Sequence, residues 1–242
     1  MIWLIYGSKG WIGGQIKEIL IQQGETVVDG LSRADNFYDT ITEIENIKPD
    51  RIICTLGRTS GKNCLNIDYL ESPEHSSENL RDNLHAPLNL AIISQQLHIH
   101  LTYLGTGCVY AYDQKHPMEN YTGRGFTEED KPNFRGSQYS QVKGVTDCLI
   151  RHFDTTLNAR IRMPISAEMH PRNFVTKITH YPKVISIPNS MTVLPELLPL
   201  LVDMSKRKIT GTINLTNPGA ITHGEILDMY KLYIDPDRKS VV

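Results

Sequence analysis

Apolar positions in this chain fall into short runs that alternate with stretches of helical period. Ile2-Trp3-Leu4-Ile5-Tyr6 is a continuous apolar run, as a strand buried on both faces requires. It stops at Gly7-Ser8-Lys9-Gly10-Trp11-Ile12-Gly13, where a helical pattern begins. Thr26-Val27-Val28 reads as a second strand, leading into Asp29-Gly30-Leu31-Ser32-Arg33. A helix from about Tyr38 to Ile47 ends at Lys48-Pro49, and Arg51-Ile52-Ile53-Cys54 reads as a third strand. The spacing of Leu80, Leu84, Leu88, Ala91 and Ile92 predicts a long helix from near Ser76 through Gln96. His100-Leu101-Thr102-Tyr103-Leu104 is strand-like and runs into Gly105-Thr106-Gly107. Strands alternating with helices imply an α/β fold, a doubly wound parallel sheet with right-handed crossovers and helices on both faces.

The pattern changes further along. Tyr112 to Gly136 is polar, rich in Gly, Pro and charge, and without period, so a surface loop beside the functional site is expected. Beyond Arg162-Met163-Pro164 the elements shorten: helices near Asn173–His180 and Leu194–Ser205, a strand at Thr212–Leu215, a helix from Thr222 to Tyr233. The expected organisation is a sheet domain over 1–162 and a smaller, interleaved substrate-binding lobe over 163–242, where a substrate would be clamped.

The turn after the first strand carries the first chemical signal. Its glycines are spaced G-x-x-G-x-x-G between a strand and a helix. Gly7 permits a sharp turn, Gly10 lets backbone approach a pyrophosphate, and Gly13 lets the helix pack closely on the sheet. The free N–H groups of the helix N-terminus, with Trp11 and Ile12 beside them, then face phosphate. The pattern reads as a Rossmann-type dinucleotide site, with a bland glycine turn as the alternative. Its cofactor is expected to be NADP(H), because Arg33 and Lys9 put positive charge where a ribose 2′-phosphate would lie. Asp29, at the strand end, keeps NAD(H) open as the alternative. Gly57 opens a loop expected to line the adenosine side. Asn83 on the long helix resembles an Asn that short-chain dehydrogenases use to support the sheet and the cofactor loop; a plain helix-surface residue is the alternative.

Composition narrows the classes. In 242 residues, 25 Lys+Arg stand against 27 Asp+Glu, which gives no basic surface for nucleic acid. No apolar stretch reaches membrane-spanning length, and Met1 leads straight into a strand, so a cytoplasmic protein is expected. Cys54, Cys64, Cys108 and Cys148 form no metal-ligand cluster, and His98-Ile99-His100 lacks a third ligand, so no metal site is expected.

Tyr139-Ser140-Gln141-Val142-Lys143 is Y-x-x-x-K, which on a helix sets both side chains on one face. A phenol is a poor acid or base at neutral pH unless a neighbouring cation stabilises its phenolate. Lys143 is expected to supply that charge and to hydrogen-bond a cofactor ribose. Two surface residues on an amphipathic helix would show the same spacing. The order of features favours the first: glycine turn, then Gly105-Thr106-Gly107 at a strand end, then Y-x-x-x-K about thirty residues on, an order that resembles the short-chain dehydrogenases.

These residues resemble the extended short-chain dehydrogenase/reductase family. Thr106-Gly107-Cys108-Val109-Tyr110-Ala111-Tyr112-Asp113, Pro132-Asn133-Phe134 and Tyr139 to Lys143 are similar to its dTDP-4-dehydrorhamnose-reductase branch. Arg160-Ile161-Arg162-Met163-Pro164-Ile165, Pro171 through Thr179 and Ile187 through Thr192 resemble the bifunctional nucleotide-rhamnose synthases, 3,5-epimerase/4-reductases. The resemblance implies Thr106, Tyr139 and Lys143 as the reductase set, with Thr106 hydrogen-bonding the substrate carbonyl. It implies Cys108 as one epimerisation residue and Lys177 as the second. Taken alone, a cysteine ending a strand is a small buried residue and a lysine on a polar helix is solvated. The implied substrate is UDP- or dTDP-4-keto-6-deoxyglucose, with Arg172, Asn173 and Asn189 in the lobe expected to contact it. A homodimer is a further expectation. One departure stands out: this chain stops soon after Tyr233-Ile234-Asp235-Pro236, where family members continue by several tens of residues. Either a C-terminal part is missing or the lobe is pared down. The rival readings are a plain 4-reductase and a non-catalytic NADP-binding regulatory subunit.

Overall fold

The computed structural model describes residues 1–62, 64, 66–118 and 125–237. Residues 119–124 of the expected surface loop thus lie outside the described residues. Among the latter, β1 (Ile2–Tyr6), β2 (Thr26–Asp29), β3 (Arg51–Cys54), β4 (His100–Thr106), β5 (Thr156–Ile161) and β8 (Gly211–Asn214) form one sheet in the order β2-β1-β3-β4-β5-β8. Every pairing in it is parallel. The chain reverses direction across the sheet between β1 and β3, and the carboxyl ends of these strands flank the crevice where doubly wound folds bind ligands.

The apolar runs serve both faces. Trp3, Ile5, Ile53, Leu157 and Ala159 pack with Ile16 and Leu20 of α1 (Trp11–Gln22) and with Leu194, Leu198, Leu201 and Val202 of α7 (Leu194–Lys206). On the opposite face Leu4, Tyr6, Ile52, Cys54, Leu101 and Tyr103 meet Ile44 of α2 (Phe37–Ile47), Leu90, Ala91 and Ile93 of α4 (Ala86–Gln96), and Ile150 of α5 (Gln138–Ile150). Caps set the helix starts. The Asn36 side chain accepts from Asp39 N, Ser137 from Ser140 N, and Thr222 with Glu225 closes a capping box on α8 (His223–Tyr233).

The expected long helix is present but interrupted. α3 (Ser76–Leu80) passes through a π turn (Arg81–His85) into α4. Pro87 has no N–H to donate to the carbonyl four residues back, that of Asn83. That oxygen instead accepts from Thr146 Oγ1 of α5 at 2.7 Å. A proline has thus opened the helix at one residue and tied it to a neighbouring helix.

The described elements after residue 162 divide between two places. α7 and β8 return to the main layers, while β6 (Pro164–Ile165), β7 (Thr192–Val193), α6 (Phe174–Ile178) and α8 lie beyond the strand ends. β5 is an element the hydrophobic pattern does not announce, since Asn158 and Arg160 stand in its middle. No helix among the described residues is long and apolar enough to cross a membrane.

Candidate active site

The glycine turn fits a pyrophosphate cradle. Gly7 has φ +90, and a Cβ there would sit 2.5 Å from Thr55 Oγ1. A Cβ at Gly13 would sit 2.2 Å from the Gly7 carbonyl oxygen, so the first helix packs directly on the turn. Gly10, the N-cap of α1, makes no side-chain cap, which leaves the leading N–H groups for an anion. Lys9 is exposed at the turn, and the Trp11 ring stacks on His170 at 5.0 Å with the planes 4° apart. The lobe therefore reaches over the start of α1.

Asp29 does not stand free at the end of β2. Lys17 Nζ holds its carboxylate at 2.8 and 2.9 Å, and with the Ser8 hydrogen bond this keeps the carboxyl below its ordinary range. Arg33 is exposed, pairs with Asp35 at 3.1 Å, and lines a cleft of about 400 Å³ with Leu56, Gly57, Arg58 and Arg172. Asn83 is fully buried and clamps the loop of that cleft: Oδ1 accepts from Arg58 N at 3.0 Å and Nδ2 donates to Arg58 O at 2.9 Å. The π turn carries this side chain, and Asn83 is a buried residue, not a plain surface one.

β4 and β5 run in register, with Gly105 opposite Arg160 and Thr106 opposite Ile161. The loops leaving their ends consequently face each other. Gly107 N donates to Ile161 O at 2.9 Å, and Cys108 N donates to Thr106 Oγ1 at 3.1 Å. Arg162, two residues past Arg160, donates from one guanidinium nitrogen to Cys108 Sγ and from the other to Asn189 Oδ1 at 2.7 Å. Tyr139, buried on the first turn of α5, meets this group. Burial and the proximity of Cys108 push its phenol well up, while a hydrogen bond with Thr106 and the charge of Arg162 pull the other way.

Lys143 is also buried, one helical turn on, and burial lowers its ammonium to about 8. It is turned toward β4, where Nζ donates to the Tyr103 hydroxyl. Thr106, Cys108 and Tyr139 are thus brought together, with Lys143 behind them. Lys177 on α6 is half-buried, and burial with the nearby Arg172 charge lowers its ammonium below the ordinary value. No contact among the described residues joins Lys177 to Cys108 or Tyr139. Arg172 donates to Thr59 and Ser60 hydroxyls at 3.3 and 3.4 Å, bridging the lobe to the Gly57 loop. The Asn173 side chain is occupied as the α6 cap, accepting from Val175 N and donating to Ser166 O and Glu168 O.

Beside Cys108 lies a cleft of about 660 Å³, lined by Tyr110, Phe126, Arg160, Arg162, Asn189 and Asn214 among others. Phe126 stacks between Tyr110 and His116 at 4.4 and 4.0 Å. Three residues of this region are given no role by the sequence: Arg162, Tyr103 and Asp147. Asp147 continues the Tyr139 and Lys143 face by one more turn, a spacing that could have revealed it.

Residues 3–153 match the NAD dependent epimerase/dehydratase family. The chain is 52% identical to protein L780 of Acanthamoeba polyphaga mimivirus over 232 residues, 96% of this chain and 79% of that protein. The crystal structure of L780, described as a UDP-rhamnose synthase, superposes with a TM-score of 0.94 over 99% of this chain and 83% of that one, at 51% identity. A bifunctional dTDP-4-dehydrorhamnose 3,5-epimerase/dTDP-4-dehydrorhamnose reductase of Arabidopsis thaliana is 44% identical over 234 residues, 96% of this chain and 75% of that protein. A dTDP-4-dehydrorhamnose reductase of Bacillus anthracis, solved with NADP, shares the fold at a TM-score of 0.78 and 19% identity, over 96% of this chain and 80% of that one. Sequence, sheet order and glycine turn agree, and the chain belongs to the NAD dependent epimerase/dehydratase family, as an extended short-chain dehydrogenase/reductase related to UDP-rhamnose synthase and dTDP-4-dehydrorhamnose reductase.

Proposed function

We propose that this chain is an NADPH-dependent enzyme that epimerises C3 and C5 of UDP- or dTDP-4-keto-6-deoxy-D-glucose and reduces C4, giving the L-rhamnose nucleotide. The observation that carries this reading is the meeting of Cys108 with Thr106 and Tyr139 at the end of β4. A plain reductase needs the last two and has no use for a thiol against them.

The C3 and C5 protons flank one carbonyl, so one set of donors at the C4 oxygen serves both epimerisations and the reduction. Thr106 and Tyr139 hydrogen-bond that oxygen. Cys108, as thiolate, takes a proton from carbon, and Lys177 returns one from the opposite face. Tyr139 then gives its phenolic proton to the C4 oxygen as reduction proceeds. Bound nicotinamide supplies the hydride for that step. Gly7, Gly10 and Gly13, with Trp11, Ile12 and Lys9, would hold its pyrophosphate, Asn83 and Gly57 would shape the adenosine side, and Lys143 would hold the ribose. The sheet domain over 1–162 binds cofactor, while the lobe over 163–242 closes on the nucleotide sugar: Asn189 lines the larger cleft, Arg172 stands on the smaller one against the Gly57 loop, and Asn173, buried as the α6 cap, holds the segment that carries Arg172 instead of touching substrate.

Labelling tests the reading. In D₂O the chain should deliver rhamnose carrying deuterium at C3 and C5, with the cofactor's hydrogen on C4. Cys108→Ala and Lys177→Ala should each suppress deuterium at one or both carbons while sparing reduction of an already epimerised substrate. Tyr139→Phe should lower reduction by about 10²–10⁴ with NADPH still bound. A product without deuterium at C3 and C5 would leave a monofunctional reductase; no NADPH oxidation with either nucleotide sugar would leave a binding subunit.

A further inference from the structure

Arg162 is built into the centre of the site, and neither the cofactor cradle nor the reductase set accounts for it. The backbone at this point is fixed. Arg162 N donates to Thr192 Oγ1 at 2.9 Å, that hydroxyl donates to Leu215 O at 2.8 Å, and Met163 immediately after it takes a positive φ of 40°. The side chain runs beside Gly107, where a Cβ would lie 3.4 Å from Arg162 Cδ. Its far end is oriented by Asn189, itself anchored by a donation to Ile187 O at 3.1 Å and a backbone bridge to Ile221. One guanidinium nitrogen bonds Asn189 and the other reaches the Cys108 sulfur.

The charge of this group is also unusual. Arg160, two residues earlier, is held in a two-bond pair with Asp147 at 2.8 Å. Arg162 has no carboxylate partner among the described residues; its guanidinium bonds Cys108 and Asn189 instead. Its positive field is felt by Tyr139 on one side, where it eases the penalty of a buried phenolate. On the other side it reaches His223, whose protonation it disfavours after burial has already done so. Arg162 therefore places a cation at the edge of the larger cleft, between a thiol, a buried phenol and a buried imidazole.

We propose that Arg162 is the positioning residue of the epimerisation step: it fixes the Cys108 sulfur at the substrate and supplies the positive charge that its thiolate needs. This rests on the epimerase/reductase reading above. In the step, thiolate sulfur takes the proton from the carbon next to the C4 carbonyl. The C–H electron pair becomes the enolate double bond, and the carbonyl electrons move to the C4 oxygen. The thiol so formed stands against Arg162 until a proton returned on the other face restores the ketone. The guanidinium forms a charge pair with the sulfur at the start of the step, and its field also reaches the Tyr139 side of the oxygen that gains charge. Arg162 itself transfers no proton.

Two variants of the full chain, Arg162→Gln and Arg162→Lys, test this. The first readout needs no turnover: alkylation by iodoacetamide at pH 7, followed at each cysteine by peptide mass spectrometry, with exposed Cys148 as the internal control. Arg162→Gln should slow Cys108 by at least about tenfold, as loss of a charge-assisted contact implies, and leave Cys148 unchanged; Arg162→Lys should restore most of the rate. The second readout is deuterium uptake at C3 and C5, which should fall by a similar factor in Arg162→Gln. Reduction of an already epimerised substrate should fall much less. Thermal melting of each variant confirms the fold. Equal or faster alkylation of Cys108 in folded Arg162→Gln would overturn the proposal, because a merely packing arginine uncovers the thiol when removed. Equal loss of exchange and reduction would overturn it too. If the unaltered chain takes up no deuterium, the epimerase reading itself falls; if it does and folded Arg162→Gln does so equally, only the role of Arg162 falls.

Discussion

Lys143 Nζ donates its hydrogen bond to the Tyr103 hydroxyl and lies 4.6 Å from the centroid of the same ring. The lysine expected to serve Tyr139 is thus parked on a second phenol, carried by the strand that ends in Thr106. A hydrogen bond from an ammonium to a neutral phenol favours the charged lysine, which burial alone opposes. With Lys143 lowered to about 8, the fraction carrying charge declines as pH rises through that value. Reduction that needs the ammonium should therefore lose kcat/KM on the alkaline side of about 8. Tyr103→Phe removes the acceptor, so this limb should move to lower pH, with the acid side unchanged. A pH profile of the reductase step measures it. A uniform drop in rate with the limb in place would mean that Tyr103 only fills space.

Much of the fold is legible in the chain because its apolar runs answer to burial on both faces. β1, β3 and the caps at Asn36 and Thr222 follow from local rules, and so does the glycine turn. β5 is not legible by those rules. Asn158 and Arg160 interrupt its apolar pattern, and they are buried because Asp147 on α5 accepts from both, at 2.7 and 2.8 Å. A partner distant in sequence has made polar side chains fit a core position. The π turn is half legible: Pro87 announces a break, but that Thr146 would take the freed carbonyl depends on how α5 packs. Within the site, Thr106, Tyr139 and Lys143 stand out by spacing. Arg162 meets Cys108 only through the β4/β5 register, and Tyr103 reads as an ordinary strand residue. The short β6 and β7 pairing has no periodic signal at all.

On the NADPH reading proposed above, Arg33 is the residue that would meet the 2′-phosphate. The Asp29 carboxylate, the group that would accept from a ribose hydroxyl, is engaged by Lys17 and Ser8. Arg33 can exchange its exposed pairing with Asp35 for a 2′-phosphate at little cost, since such pairs contribute little. Arg33→Ala should therefore weaken NADPH by about ten- to a hundredfold, the equivalent of about 1.5–3 kcal/mol, and change NADH little. Titration of both cofactors by fluorescence checks this. An equal loss for the two would show that the arginine does not read the phosphate.

The Asp147–Arg160 pair should contribute to the acid stability of the molecule. Both groups are almost fully buried, and Arg160 also reaches Asn214 on β8, so the pair ties α5 to two strands of the sheet. Burial resists ionisation of Asp147, but the two Arg160 hydrogen bonds and the charge behind them outweigh it, and its carboxyl is held below the ordinary value. A carboxyl lowered in the folded state contributes stability that is complete above its unfolded value near 3.8 and lost as pH falls through the folded one. Asp147→Ala leaves a buried guanidinium without its carboxylate, with only the long hydrogen bond to Asn214 remaining, and should cost about 3–5 kcal/mol at neutral pH. Stability of that variant should also lose part of its dependence on pH below about 4, since the titrating group is gone. The double variant Asp147→Leu/Arg160→Met removes both charges and should recover most of the loss. Urea unfolding of the three chains at pH 7 and pH 4 measures each term. A single variant as stable as the parent at pH 7 would mean that water reaches Arg160 and the pair is not a buried one.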